Sequence, residues 1–125
     1  AHGMGDSDLT ATFSYVAREL GKRKLAFLCT REHESETSIS PLLKRIFGGP
    51  LIANEGFTQA SAEAAIGRGD ADAVAFGKLF IANPDLPARL RTGAPLNEWD
   101  AKTFYGAEPE GYVDYPALGG VSRTA

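Results

Sequence analysis

Two short turns carry the residue types best suited to gripping a phosphate. Gly77-Lys78 follows the apolar run Ala73–Phe76, and Asn54-Glu55-Gly56 follows Leu51-Ile52-Ala53. A glycine after a strand lets the backbone approach an anion closely and bares its N–H. A lysine beside it adds charge, and a helix beginning there adds the positive end of its dipole. From the pattern alone, an ordinary turn with an exposed lysine has the stronger claim on Gly77-Lys78.

The other reactive side chains read as bystanders. His2 precedes Gly3 in a strand-to-helix loop, and His33 lies in the charged Arg31–Glu36 loop, so both read as solvated. Asp6, Asp8, Glu32, Glu34 and Glu36 read as helix caps or solvated groups. No spacing of His, Cys and carboxylate suits a metal. Cys29 is the sole cysteine, which excludes an internal disulfide. Within the apolar run Leu25–Cys29 it reads as a buried strand thiol, and the cytoplasm is the default compartment.

The elements that must position these turns repeat one rhythm of helix, turn and short apolar run. Leu9, Phe13, Val16, Ala17 and Leu20 form one stripe of a helix over Ser7–Leu20, with Asp6 or Ser7 to cap it and Gly21 to stop it. Lys24–Cys29 does not alternate and so predicts a strand buried on both faces. Thr30–Ser40 reads as a polar loop, and Ser40 caps a helix over Pro41–Phe47 that Gly48-Gly49-Pro50 breaks. Leu51–Ala53 is the second strand. Thr58 caps a third helix, Gln59–Arg68, and Ala73–Phe76 is the third strand. Short helices over Leu79–Ala82 and Leu86–Arg91 follow, the second capped by Asn83 or Asp85. Beyond Gly93 the aromatic residues Trp99, Phe104, Tyr105, Tyr112 and Tyr115 have no period and predict a tail packed back over the domain.

Helices alternating with continuously apolar strands predict parallel strands joined by right-handed crossovers. Three such strands leave two bare edges, so something else must complete the sheet. With 125 residues, 43% of them hydrophobic and 23% charged, the chain has one domain's length and an ordinary soluble composition. A net charge of −3 gives no basic surface for nucleic acid, and no apolar run approaches the ~20 residues of a membrane span. The polar stretch Ala1–Asp8 has no signal-peptide character.

The longer stretch from Ala71 through Leu86, Ala-Asp-Ala-Val-Ala-Phe-Gly-Lys-Leu-Phe-Ile-Ala-Asn-Pro-Asp-Leu, resembles the end of the Old Yellow Enzyme family of flavin-dependent ene-reductases. Pro95-Leu96-Asn97, Phe104-Tyr105-Gly106 and Gly111-Tyr112-Val113-Asp114-Tyr115-Pro116 continue the likeness in the family's order, and Ile52–Thr58 resembles its penultimate strand and turn. The resemblance runs from about Gly3 to Leu118. It implies an α/β fold, namely the last three βα units of an eight-stranded (β/α)8 TIM barrel, with residues 1–118 in that segment and 119–125 a flexible tail. It also implies FMN as cofactor, NADPH or NADH as reductant, and an activated alkene as substrate. Asn54, Glu55 and Gly56 would meet the FMN phosphate, Gly77 and Lys78 would complete that site, Phe76 would lie near the flavin, and Tyr105 would face the substrate end of the pocket.

Two positions depart from the family's pattern. Lys78 stands where the family usually has Arg, which exchanges a planar two-pronged grip for a compact charge. Glu55 stands in a turn that is often Gly or Ala, and its carboxylate must point away from a phosphate or weaken its binding. The family's substrate-holding His/His or His/Asn pair, its Tyr proton donor and the Arg facing the flavin ring belong upstream of the matched region, and neither His2 nor His33 matches them. The resemblance therefore assigns this chain cofactor-anchoring residues and no catalytic ones, and makes the rest of the barrel its partner. The alternative is a noncatalytic phosphate-binding half-barrel that self-assembles to hide its sheet edges.

Overall fold

A computed structural model describes residues 7–106 and 108–119. His2, Gly3, Asp6 and the tail 120–125 lie outside the described residues. The chain forms two compact units, Ala1–Ala75 and Phe76–Ala125.

The first unit contains α1 (Leu9–Lys22), β1 (Leu28–Cys29), α2 (Ser40–Phe47), β2 (Leu51–Asn54), α3 (Gln59–Gly67) and β3 (Ala73–Ala75). Its sheet is parallel in the order β1-β2-β3, with Leu28 opposite Leu51, Ile52 opposite Ala73 and Asn54 opposite Ala75. Parallel neighbours need a crossover, and α2 and α3 supply the two. The core gathers Ala17, Leu43, Phe47, Leu51, Ala53 and Ala71, and α1 and α2 pack against each other over it.

Several local features differ from the sequence expectations. Asp8, not Asp6 or Ser7, caps α1 by accepting from the Ala11 N–H at 2.8 Å. Gly21 does not stop this helix. It lies inside α1, where an added Cβ would stand 2.5 Å from the Phe47 carbonyl oxygen, so it permits the close approach to the end of α2. The chain reverses at Lys24, whose φ is 54°. The predicted strand Lys24–Cys29 shrinks to two residues, with Leu25, Phe27 and Cys29 exposed, because β1 pairs with β2 on one side only among the described residues. Cys29 is therefore not the buried thiol expected.

The expected loop from Thr30 begins as extended chain instead. The N–H groups of Leu28, Thr30, Glu32 and Glu34 donate in turn to the carbonyls of Pro50, Ile52, Asn54 and Glu55 at 2.9–3.1 Å. Alternate residues thus stay bonded alongside β2 to its end and past it. Ser40 is the first residue of α2 rather than its cap, and Pro41 sits in the first turn. The capping group is distant in sequence: the Glu32 carboxylate accepts from the Ile39 and Ser40 N–H groups at 2.8 and 2.9 Å, and from the Ser38 and Ser40 hydroxyls. Gly48, at φ 74°, ends α2 as expected. Thr58 and Ser61 form the reciprocal capping box of α3.

The second unit opens with α4 (Lys78–Ala82) and α5 (Leu86–Thr92), followed by an irregular chain. Phe76 falls just beyond β3 rather than inside it. Asp85 is the N-cap residue of α5, as the sequence suggests, though neither its side chain nor that of Asn83 caps the helix. Both belong instead to a buried polar network. Arg89, 5% exposed, donates to the Asp85 carboxylate and to the Pro95 and Pro116 carbonyls, each at 2.6 Å. Asn83, fully buried, donates to the Leu79 carbonyl and accepts from the Asn97 N–H, while Asn97 donates to the carbonyls of Ala82 and Pro116. The Leu118 N–H donates to Asp85. The aperiodic tail is thus held by polar groups that saturate one another, an arrangement that leaves no trace in hydrophobic periodicity.

Candidate functional site

Within the first unit, the turn after β2 is built to present backbone N–H groups. Asn54 is the last residue of β2, and Glu55 and Gly56 follow with φ of 93° and 85°. Two consecutive positive φ values swing the chain away from the ladder. The carbonyls of Asn54 and Glu55 are already occupied by the N–H groups of Glu32 and Glu34. The N–H groups of Gly56 and Phe57 have no partner among the described residues. The acceptors that would repel an anion are engaged and donors remain, which is the chemistry of an anion-binding turn.

Gly56 is required for two reasons. Its φ suits only glycine without strain, and an added Cβ would stand 2.9 Å from the His33 ring. His33 is exposed, as expected, but its ring lies over Gly56, with Nδ1 3.0 Å from the Glu34 carbonyl. The Glu55 carboxylate is turned to Arg31, whose Nε lies 3.1 Å away. Sequence reasoning missed both Arg31 and His33. They stand two residues apart on the extended segment beside β2, the period at which a strand presents one face, but the segment reads as a loop.

The second unit holds the other predicted residues. Phe76 is half-buried, and Gly77 and Lys78 are exposed. Gly77 is the N-cap residue of α4 and Lys78 its first residue, so that helix starts one residue before the expected Leu79. The Lys78 ammonium lies 5.9 Å from the centre of the Trp99 ring, within cation–π range. Trp99, read from sequence as tail packing, is half-exposed and meets this charge. Tyr105 is 98% exposed, whereas its neighbour Phe104 is buried and its carbonyl accepts from the Tyr112 hydroxyl.

Four carboxylates sit below their ordinary range. Asp85 is lowered by the Arg89 guanidinium and the Leu118 N–H, and Asp72 by the Leu51 N–H and Lys44. For Glu32 partial burial opposes the effect, but hydrogen bonds from Ser38, Ser40 and two backbone amides outweigh it. Lys22 lowers Glu19 on the surface of α1. All four are explained by structural partners, and none belongs to the two turns. An open groove of about 300 Å3 lies between α1, β1 and α2, lined chiefly by apolar residues such as Leu9, Phe13, Val16 and Leu28. Among the described residues, no group of three His, Cys, Asp or Glu could hold a metal, and no helix is long and apolar enough to cross a membrane.

Comparison with known proteins supplies a frame for these turns. A family model described as NADH:flavin oxidoreductase / NADH oxidase matches residues 9–97. A 12-oxophytodienoate reductase-like protein of Solanum lycopersicum is 41% identical over 118 residues, covering 93% of this chain and 33% of the relative. The structure of morphinone reductase superposes with a TM-score of 0.85 at 41% identity, over 93% of this chain and 33% of that one. The old yellow enzyme homologue of Zymomonas mobilis gives 0.86 at 38% identity, over 91% and 34%. The chain spans about a third of the length of the curated relatives it matches. With most of its length matched by the family model and its fold shared with these enzymes, the chain belongs to the NADH:flavin oxidoreductase / NADH oxidase family, that of Old Yellow Enzyme.

Proposed function

We propose that this chain carries the cofactor-phosphate end of an FMN-dependent NAD(P)H:alkene oxidoreductase, as the last three βα units of a (β/α)8 barrel. The remaining strands, in the same or a separate polypeptide, are its partner, and the cytoplasm is where it works. The observation that carries this reading is the Asn54-Glu55-Gly56 turn at the end of a parallel strand, with the Asn54 and Glu55 carbonyls engaged and the Gly56 and Phe57 N–H groups unpartnered among the described residues. Phosphate sites of α/β barrels occupy that end of the last strands.

Each turn taken by itself has chemistry suited to a phosphate monoester: Gly56 and Phe57 offer neutral N–H donors in the first unit, and Gly77 and Lys78 a close backbone approach and a cation in the second. Asn54 ends the strand that aims the first turn. Phe76 lies near the flavin and Tyr105 lines the substrate side. When bound, FMN supplies hydride transfer from NADPH or NADH to the β-carbon of an α,β-unsaturated carbonyl compound. This chain's residues anchor and neutralise the cofactor's phosphate, and the proton donor and substrate-holding groups belong to the partner strands.

Titration of the full chain with FMN and with riboflavin tests the reading. FMN should bind weakly but more tightly than riboflavin, and Lys78→Ala should remove much of that preference. Equal affinity for the two flavins would refute the phosphate site. The chain alone should not oxidise NADPH in the presence of 2-cyclohexenone, and measurable turnover would show that the catalytic groups are here after all. A second reading, a noncatalytic half-barrel that pairs with its own copy, is favoured by the exposure of Leu25 and Phe27 beside the edge strand β1. Sedimentation separates the two, because a defined dimer of this chain alone supports self-assembly.

A further inference from the structure

We infer that Arg31 is a positioning residue for the anion-binding turn, holding the Glu55 carboxylate off the N–H groups that receive the phosphate. The inference rests on the phosphate-site reading above. Three observations within the first unit lead to it. Glu55 is a non-glycine residue at φ 93°, in a turn where its own carbonyl and that of Asn54 already have partners, so its carboxylate is the full negative charge the turn itself carries toward an anion. Its carboxylate is engaged by Arg31, Nε to Oε2 at 3.1 Å. The extended segment that delivers Arg31 is tied to the same turn by the Glu32 and Glu34 N–H groups, which fixes the register between the guanidinium and the carboxylate.

A free carboxylate on that turn would face the same dianion as the backbone donors, and like charges at short range lower affinity. Paired with Arg31 the carboxylate's charge is compensated in place, so the turn offers its N–H donors without a net negative charge beside them. Arginine suits the task better than lysine because it stays charged and can bind a carboxylate while leaving other N–H groups outward. His33, packed over Gly56, keeps the segment seated on the turn. With side chains 61% and 41% exposed, the pair acts through water-screened charge and its effect is modest.

The test is a cycle of FMN affinities on the full chain at low salt, with riboflavin as the phosphate-free control. Arg31→Gln should weaken FMN binding roughly two- to fivefold, the range of an exposed pair. Glu55→Gln should leave affinity equal or higher, and the double variant should recover it. Arg31→Lys should retain most of it. Riboflavin affinity should not move in any of them, and unfolding midpoints recorded alongside separate charge effects from loss of fold. If Lys78→Ala lowers FMN affinity but Arg31→Gln and Arg31→Lys do not, the phosphate site stands and the role of Arg31 is wrong. A loss in Arg31→Gln that Glu55→Gln fails to rescue also overturns it. If FMN and riboflavin bind alike in the unsubstituted chain, the phosphate site fails and takes this inference with it.

Discussion

The two units bury different chemistry. Up to Ala75 the buried centre is Ala17, Leu43, Phe47, Leu51, Ala53 and Ala71, closed by a parallel ladder. From Phe76 onward the interior is organised by Asn83, Arg89 and Asn97, which bind carbonyls from five separate residues. An apolar core is forgiving, because neighbouring side chains can shift to fill space. A buried charge is not, since every donor it loses leaves a partner unsatisfied in a medium that cannot solvate it. The second unit should therefore fail more abruptly than the first when one side chain is changed.

Arg89→Ala is the sharpest way to break that contrast. It removes the one buried cation among the described residues and leaves the Pro95 and Pro116 carbonyls without their donor, and each acceptor so stranded costs about 1–3 kcal/mol. Trp99 is the only tryptophan and lies in this unit, so its fluorescence during urea unfolding reports the loss directly. A midpoint within error of the unsubstituted chain would mean the network is ornamental. In the first unit, Gly21→Ala puts a methyl 2.5 Å from the Phe47 carbonyl and forces α1 away from α2. Overpacking of this kind costs roughly 1–3 kcal/mol, read as faster hydrogen exchange of the α1 and α2 amides with the Trp99 transition unmoved.

The same contrast decides what the sequence could disclose. The α1 helix, the Thr58 cap, Gly48 and the succession of three parallel strands all follow from local pattern, although of the α1 stripe only Ala17 is buried and Leu9, Phe13 and Val16 stay exposed. What escaped were contacts made across the sequence. Glu32 caps α2 from seven and eight residues away, Gly21 is needed by Phe47, and Arg31 meets Glu55 across 24 positions. Of the candidate site, the two turns were legible as glycine after a strand. The charge partner and the packing ring of the first turn were not, because Thr30–Glu34 carries polar residues on an edge and polar edges look like loops. Asn83-Pro84-Asp85-Leu86 carried the resemblance to the family, and in this chain it ties the tail down.

Acid should expose a smaller difference between the units. Asp85 is depressed by Arg89 and the Leu118 N–H, so it binds fewer protons folded than unfolded. Its contribution is therefore full above the unfolded carboxylate value near pH 4 and fades as pH falls through the lower folded value. Asp72 behaves the same way in the first unit through the Leu51 N–H and Lys44. Below pH 4 both units should weaken. Asp85→Asn should flatten the pH dependence of the Trp99 transition while leaving that of the α1 and α2 amides intact. An unchanged acid profile in that variant would detach Asp85 from the stability of the second unit.

The smallest expected effect runs in the opposite direction. Glu55 occupies a backbone conformation that costs an L-residue about 1 kcal/mol or more, and glycine adopts it freely. Glu55→Gly removes that strain but also removes the Arg31 pair, which is exposed and contributes less. The balance favours glycine by about 0.5–1 kcal/mol, despite the added freedom of the unfolded chain. A rise in the unfolding midpoint of the first unit is the expected result. A fall would mean the Arg31–Glu55 pair contributes more than its exposure allows, and that it shapes the turn as well as clearing it. The sign of this one small change thus reports whether the turn holds its shape through its backbone bonds to Glu32 and Glu34 alone.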